Sequence, residues 1–109
     1  MLHTFADWYK NHLEELKDYF DDVEFEPPST IPTDKDARFI DFHNECFWGR
    51  ITVWDSGEID AELLETENAE TVFYQSRACV SPSDLLETLN MFLKTIISKT
   101  GSSTRTDPT

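Results

Sequence analysis

The chain has 109 residues, one domain's worth, and a mass of 12.7 kDa. Its 22 Asp and Glu against nine Lys and Arg give a formal net charge of -13. Such a surface repels nucleic acid and anionic lipid, and what it attracts is a basic partner.

Apolar residues at 39%, with 13% aromatics, are enough for one packed core despite a mean hydropathy of -0.50. No basic stretch followed by an apolar run opens the chain, and no apolar window approaches the ~20 residues of a membrane span. With two cysteines, Cys46 and Cys79, and no CxxC, the expectation is a cytoplasmic protein with reduced thiols.

Residues 4–20 read as an amphipathic helix. Phe5, Trp8, Tyr9, Leu13, Leu16, Tyr19 and Phe20 fall on one face, with Thr4 as N-cap and Asp7 three residues on. Val23 and Phe25 alternate with Glu24 and Glu26 as a short strand. Pro27, Pro28 and Pro32 then impose a surface loop.

From Ala37 to Val80 the pattern is β. Ile40 and Phe42 share a face, Asn44-Glu45 is a turn, and residues 47–54 are aromatic and β-branched. Asp55-Ser56-Gly57 is a turn closing on a glycine, where a positive φ costs little. Residues 58–65, a second turn at 66–70 and residues 71–80 complete an antiparallel meander.

Ser81-Pro82-Ser83-Asp84 opens a second helix, with Ser81 as N-cap, Pro82 in the first helical position and Gly101 as terminator. Leu85, Leu86, Leu89, Phe92, Leu93, Ile96 and Ile97 form its apolar face. The expected architecture is α+β: a helix, four to five antiparallel strands and a helix in a two-layer sandwich. One domain spans residues 1–100, and 101–109 form a disordered tail.

The glycine turn predicts a register. With Trp54 opposite Glu58, Val53 faces Ile59 and Ile51 faces Ala61 on the inner face. The outer face then carries Trp48, Arg50, Thr52 and Trp54 beside Glu58, Asp60 and Glu62, carboxylates roughly 6.8 Å apart along the strand. Indoles among acids suit an interface with a basic protein. The bland alternative is that the tryptophans pack under a loop while the acids solubilise.

Acids concentrate in two runs: seven in residues 14–26, with one lysine, and seven in residues 55–70, with no base. The candidate partner-binding set is Trp48, Trp54, Asp55, Glu58, Asp60, Glu62, Glu65 and Glu67.

Catalytic patterns are missing. His3, His12 and His43 have no ligand spacing with one another or with the cysteines. No glycine-rich loop or serine elbow occurs, and Cys46 and Cys79 read as buried or inert thiols. Glu58-x-Asp60-x-Glu62 as a divalent-metal nuclease site lacks a neighbouring lysine and would repel its substrate. No cofactor and no enzymatic activity are expected.

The run Gly49-Arg50-Ile51-Thr52-Val53-Trp54-Asp55-Ser56-Gly57-Glu58-Ile59-Asp60 resembles the TriTu family of bacterial immunity proteins. So do Glu65, Glu70-Thr71-Val72-Phe73-Tyr74 and the closing helix with Leu85, Leu89 and Phe92. The resemblance covers roughly residues 37–97, and the N-terminal helix fits in kind.

What the resemblance implies is an antitoxin for contact-dependent competition, which binds and blocks its own toxin. The associated toxins are RNases that cleave tRNA, some of them acting with elongation factor Tu, which would then be reached through the toxin. The alternative from residues alone is another acidic inhibitor that mimics nucleic acid, such as a phage-encoded one.

Overall fold

The computed structural model describes residues 2–26 and 37–104. Its elements are α1 (Leu2–Lys17), β1 (Asp22–Glu26), β2 (Ala37–His43), β3 (Phe47–Trp54), β4 (Glu58–Glu65), β5 (Thr71–Ala78) and α2 (Pro82–Thr104). The five strands form one antiparallel sheet in chain order, so the meander and the α+β class stand as expected.

Both helices lie against the same face of this sheet. Phe5, Trp8 and Leu16 of α1 join Leu85, Leu89, Phe92, Leu93 and Ile96 of α2 in one core. The inward side chains of β2, β3 and β4 complete it: Ile40, Phe42, Phe47, Ile51, Val53, Ile59, Ala61 and Leu63. Each Val, Leu, Ile or Phe side chain among these contributes roughly 1.5–3 kcal/mol through burial. The Trp8 indole N–H donates to Asn90 Oδ1 at 2.9 Å, tying α1 to α2.

Local chemistry fixes the connections. The Asn44 side chain closes the β2–β3 turn. Its Oδ1 accepts from the Cys46 and Phe47 N–H at 2.8 and 2.7 Å, and its Nδ2 donates to the Tyr19 carbonyl at 2.8 Å. At the β3–β4 turn the Gly57 N–H donates to the Trp54 carbonyl at 2.9 Å, and Gly57 takes φ 99°. Only glycine reaches that region without strain.

The resulting register is Val53 with Ile59 and Ile51 with Ala61, as the turn predicts. At α2, Ser81 Oγ accepts from the Asp84 N–H at 3.1 Å and Asp84 Oδ2 accepts from the Val80 N–H at 3.0 Å. Both bonds cap the start of α2, the second reaching the residue before the N-cap.

Four expectations need correction. First, α1 begins at Leu2, so Thr4 lies inside the first turn. Leu2 packs against the core, and that burial matches the ~1 kcal/mol of a cap. Second, α1 stops at Lys17, and Tyr19 and Phe20 follow in a tight turn in which the Tyr19 N–H donates to the Leu16 carbonyl at 3.1 Å. Third, β5 ends at Ala78; the Cys79 N–H makes one last rung of the β4–β5 register on the Gly57 carbonyl at 2.8 Å before the chain turns into α2.

Fourth, α2 runs through Gly101 to Thr104. A mid-helix glycine costs only ~1 kcal/mol. The preceding turn is held by buried Thr100, whose hydroxyl donates to the Ile96 carbonyl at 2.6 Å. The loop at 27–36 and the segment 105–109 lie outside the described residues.

Candidate functional site

Strand alternation divides the molecule into two faces. In β3 the buried positions are Phe47, Gly49, Ile51 and Val53, and between them Trp48, Arg50, Thr52 and Trp54 face away from the helices. In β4, Ile59, Ala61 and Leu63 are buried, and Glu58, Asp60, Glu62 and Leu64 take the outer side. No helix among the described residues covers this outer face.

Five members of the candidate set therefore share one surface: Trp48, Trp54, Glu58, Asp60 and Glu62. Trp54, Glu58 and Asp60 border a shallow groove at one end with Ser76 and Ala78 of β5. Trp48 borders another at the opposite end, with His43, Leu64, Glu65 and Thr66. Glu65 pairs with Phe47 and belongs to the inner pleat, yet it reaches this second groove at the sheet's end.

Asp55 and Glu67 sit apart from one another, in the turns at opposite ends of β4, which is roughly 24 Å long at 3.4 Å per residue. Exposure also differs from expectation. Glu58 is open, but Asp60, Glu62 and both indoles are half-buried, because neighbouring strands crowd a central strand's side chains.

The outer face is wider than the hairpin. Across the strands, Glu24 lies opposite Asp41, Asp41 opposite Arg50, and Arg50 opposite Glu62. Arg50 Nε donates to Asp41 Oδ1 at 2.6 Å and Nη2 to Oδ2 at 3.1 Å, a bidentate fork. Its guanidinium carbon stands 4.2 Å from the Phe39 ring centroid and 5.6 Å from that of Trp48. One row further, His43 Nε2 is 3.0 Å from Asp22 Oδ2.

Asp22, Glu24 and Asp41 thus join Glu58, Asp60 and Glu62 on one side of the sheet. The two acid runs of the sequence are partly one surface. Alternation in 38–43 was the signal for Asp41 and Phe39; the placement of β1 needed the strand order.

Cys79 is buried, with its Sγ 3.6 Å from the Thr88 hydroxyl, whereas Cys46 is exposed in the β2–β3 turn. Among the described residues no group of three His, Cys, Asp or Glu is placed to hold a metal ion, and no helix is long and apolar enough to cross a membrane.

The sheet face left bare by both helices is thus acidic and aromatic. The family model for immunity protein TriTu matches residues 3–95. That match takes in α1 and the segment joining β1 to β2, beyond the hairpin motifs that first suggested it. No curated protein matches the chain. Since the match runs from the first turn of α1 through most of α2, the chain belongs to the TriTu family of immunity proteins.

Proposed function

We propose that this immunity protein binds and neutralises a cognate contact-dependent growth inhibition toxin, an RNase that cleaves tRNA, and that the outer sheet face is the toxin-facing surface. The observation that carries the proposal is the convergence of six carboxylates and the aromatic rings of β2 and β3 on the one sheet face that no described helix covers.

A toxin that holds tRNA needs cations where phosphates lie. Carboxylates presented on strands meet those cations with little ordering entropy to lose, because the sheet already fixes them. Trp48 and Trp54 supply apolar area at the two ends of the acidic row. Inhibition is by occupancy and not by turnover, so one protein protects against one toxin in the cytoplasm, where tRNA is. Elongation factor Tu enters such a complex only through the toxin.

The test is a triple change, Glu58→Gln, Asp60→Asn and Glu62→Gln, which keeps shape and removes charge. Co-expression with the toxin domain and co-purification should show loss of the complex and of protection, with folding unchanged within about 0.5 kcal/mol. Wild-type binding by the folded variant would exclude this face. Binding by the unaltered protein should weaken with salt as the Debye length shrinks from ~10 Å at 0.1 M to ~3 Å at 1 M.

A further inference from the structure

The two edges of the sheet differ in a way the toxin-facing surface does not explain. Edge strands present unpaired N–H and C=O groups, and natural proteins blunt them by shortness, charge or covering. The β1 edge is blunted: it has five residues, three of them acidic, and Phe25 is packed under Phe5 and Tyr9 of α1 at 5.6 and 4.9 Å.

The β5 edge carries a bulge at Val72, where Leu63 pairs with Phe73 and Leu64 with Thr71, but neither acid nor covering helix blunts the regular stretch 73–78. It has eight residues with no acid and no proline, and six of the eight are exposed. Its one charge, Arg77, is matched within the chain by Asp84 at 3.2 Å. Both ends are pinned, by the Glu65 N–H on the Glu70 carbonyl at 2.9 Å and the Cys79 N–H on the Gly57 carbonyl at 2.8 Å.

Exposed apolar groups gather here too. Of the four large ones among the described residues, Tyr74 (59% exposed), Val80 (88%) and Leu86 lie in β5, in the link after it and in the start of α2.

We propose that β5 pairs antiparallel with β5 of a second copy, about a two-fold axis at Tyr74, to make one continuous ten-stranded sheet. The backbone edge of β5 carries no acid to offer a basic partner, and on a chain of net charge -13 it is the sheet edge along which two copies meet without setting acid against acid.

In an isologous strand pair, partners share a pleat, so the residue on the axis meets itself. Tyr74 then stands beside its copy and Phe73 lies opposite Gln75, within the stretch of β5 that follows a bulge at Val72. An aromatic cross-strand pair stabilises such an arrangement. The β4 acid rows of the two copies are three strand spacings apart, about 14 Å, beyond the ~8 Å Debye length at physiological salt. The dimer therefore leaves both acidic faces open on one side of the extended sheet.

The test is sedimentation of the full chain, free of toxin, across concentration and from ~0.05 to ~0.5 M NaCl. The expected result is a monomer–dimer equilibrium that shifts toward dimer with salt, as screening lowers the repulsion between copies. Tyr74→Lys, checked for folding by circular dichroism, should raise the dissociation constant at least about tenfold through like charges on the axis. It lowers net negative charge, so a pure net-charge effect would strengthen the dimer instead.

A monomer under all conditions overturns the proposal. So does a dimer that weakens with salt, or one that Tyr74→Lys leaves intact. A chain that is monomeric alone but loses toxin binding on Tyr74→Lys overturns it in favour of strand addition by the toxin.

Discussion

The inner and outer faces of β3 and β4 are made by the same sixteen residues and obey opposite rules. On the inner face Ile51, Val53, Ile59, Ala61 and Leu63 are fully excluded from solvent. One residue along each strand, indoles, a guanidinium and carboxylates stand half in water. Strand parity alone separates them, and the turn ending at Gly57 sets that parity. Burial and surface charge are therefore assigned to alternate residues. Substitutions at positions 47, 49, 51 and 53 of β3 and 59, 61 and 63 of β4 should report on folding, and those at the positions between them within each strand on surface charge.

The largest effect comes from breaking the inner face at its tightest point. Gly49 lies opposite Phe42, and a Cβ added there would run into the Phe42 ring and stand 3.0 Å from the Glu62 carbonyl oxygen. Phe42 cannot swing away, because it is fully buried and meets Phe20 at 4.6 Å between ring centroids. Gly49→Ala should lower stability by about 1–3 kcal/mol through overpacking, measured by urea unfolding. An unchanged midpoint would mean the ring is not held by its neighbours.

The outer face should respond less and in a different currency. Arg50→Ala removes the fork on Asp41 and the stacking on Phe39. The pair is partly open to solvent, which limits the loss to about 1 kcal/mol. Arg50→Lys keeps the charge but not the fork, and should lie between the two. Because Arg50 sits among acids, Arg50→Ala makes the face more negative and, if the proposed basic toxin docks there, should speed association at low salt. Slower association on stopped-flow mixing would place Arg50 itself in the contact.

How much of this was legible follows the range of the forces involved. The Gly57 turn and the Ser81–Asp84 cap are local, and both were readable from three or four adjacent residues. The parity of β3 against β4 followed from the turn. The convergence of Asp22 and Glu24 with the central hairpin was not readable, because it depends on β1 lying beside β2 across ten intervening residues. Thr4 and Gly101 misled for the opposite reason. Their local preferences are worth only ~1 kcal/mol, and packing of Leu2 and Thr100 outweighs them. Half-burial of Asp60 and Glu62 likewise needed both neighbouring strands.

The smallest effect tests where the two faces meet. Tyr9 of α1 packs on Phe25 of β1, whose neighbour Glu24 points to the outer side. Burial first, and then the Glu24 carboxylate, raise the Tyr9 phenol above its ordinary value near 10. The folded protein therefore holds this proton more tightly than the unfolded chain does. Its contribution to stability is complete below pH ~10 and is lost as pH rises through the folded value. Tyr9→Phe should remove that part of the alkaline decline in urea midpoints while leaving neutral-pH stability nearly unchanged. Glu24→Gln should move the Tyr9 ionisation, followed by ultraviolet absorbance, back toward 10 without abolishing the shift, since burial is the larger cause. If Glu24→Gln erases the shift entirely, the charge of the outer face, and not packing of the inner one, governs this edge.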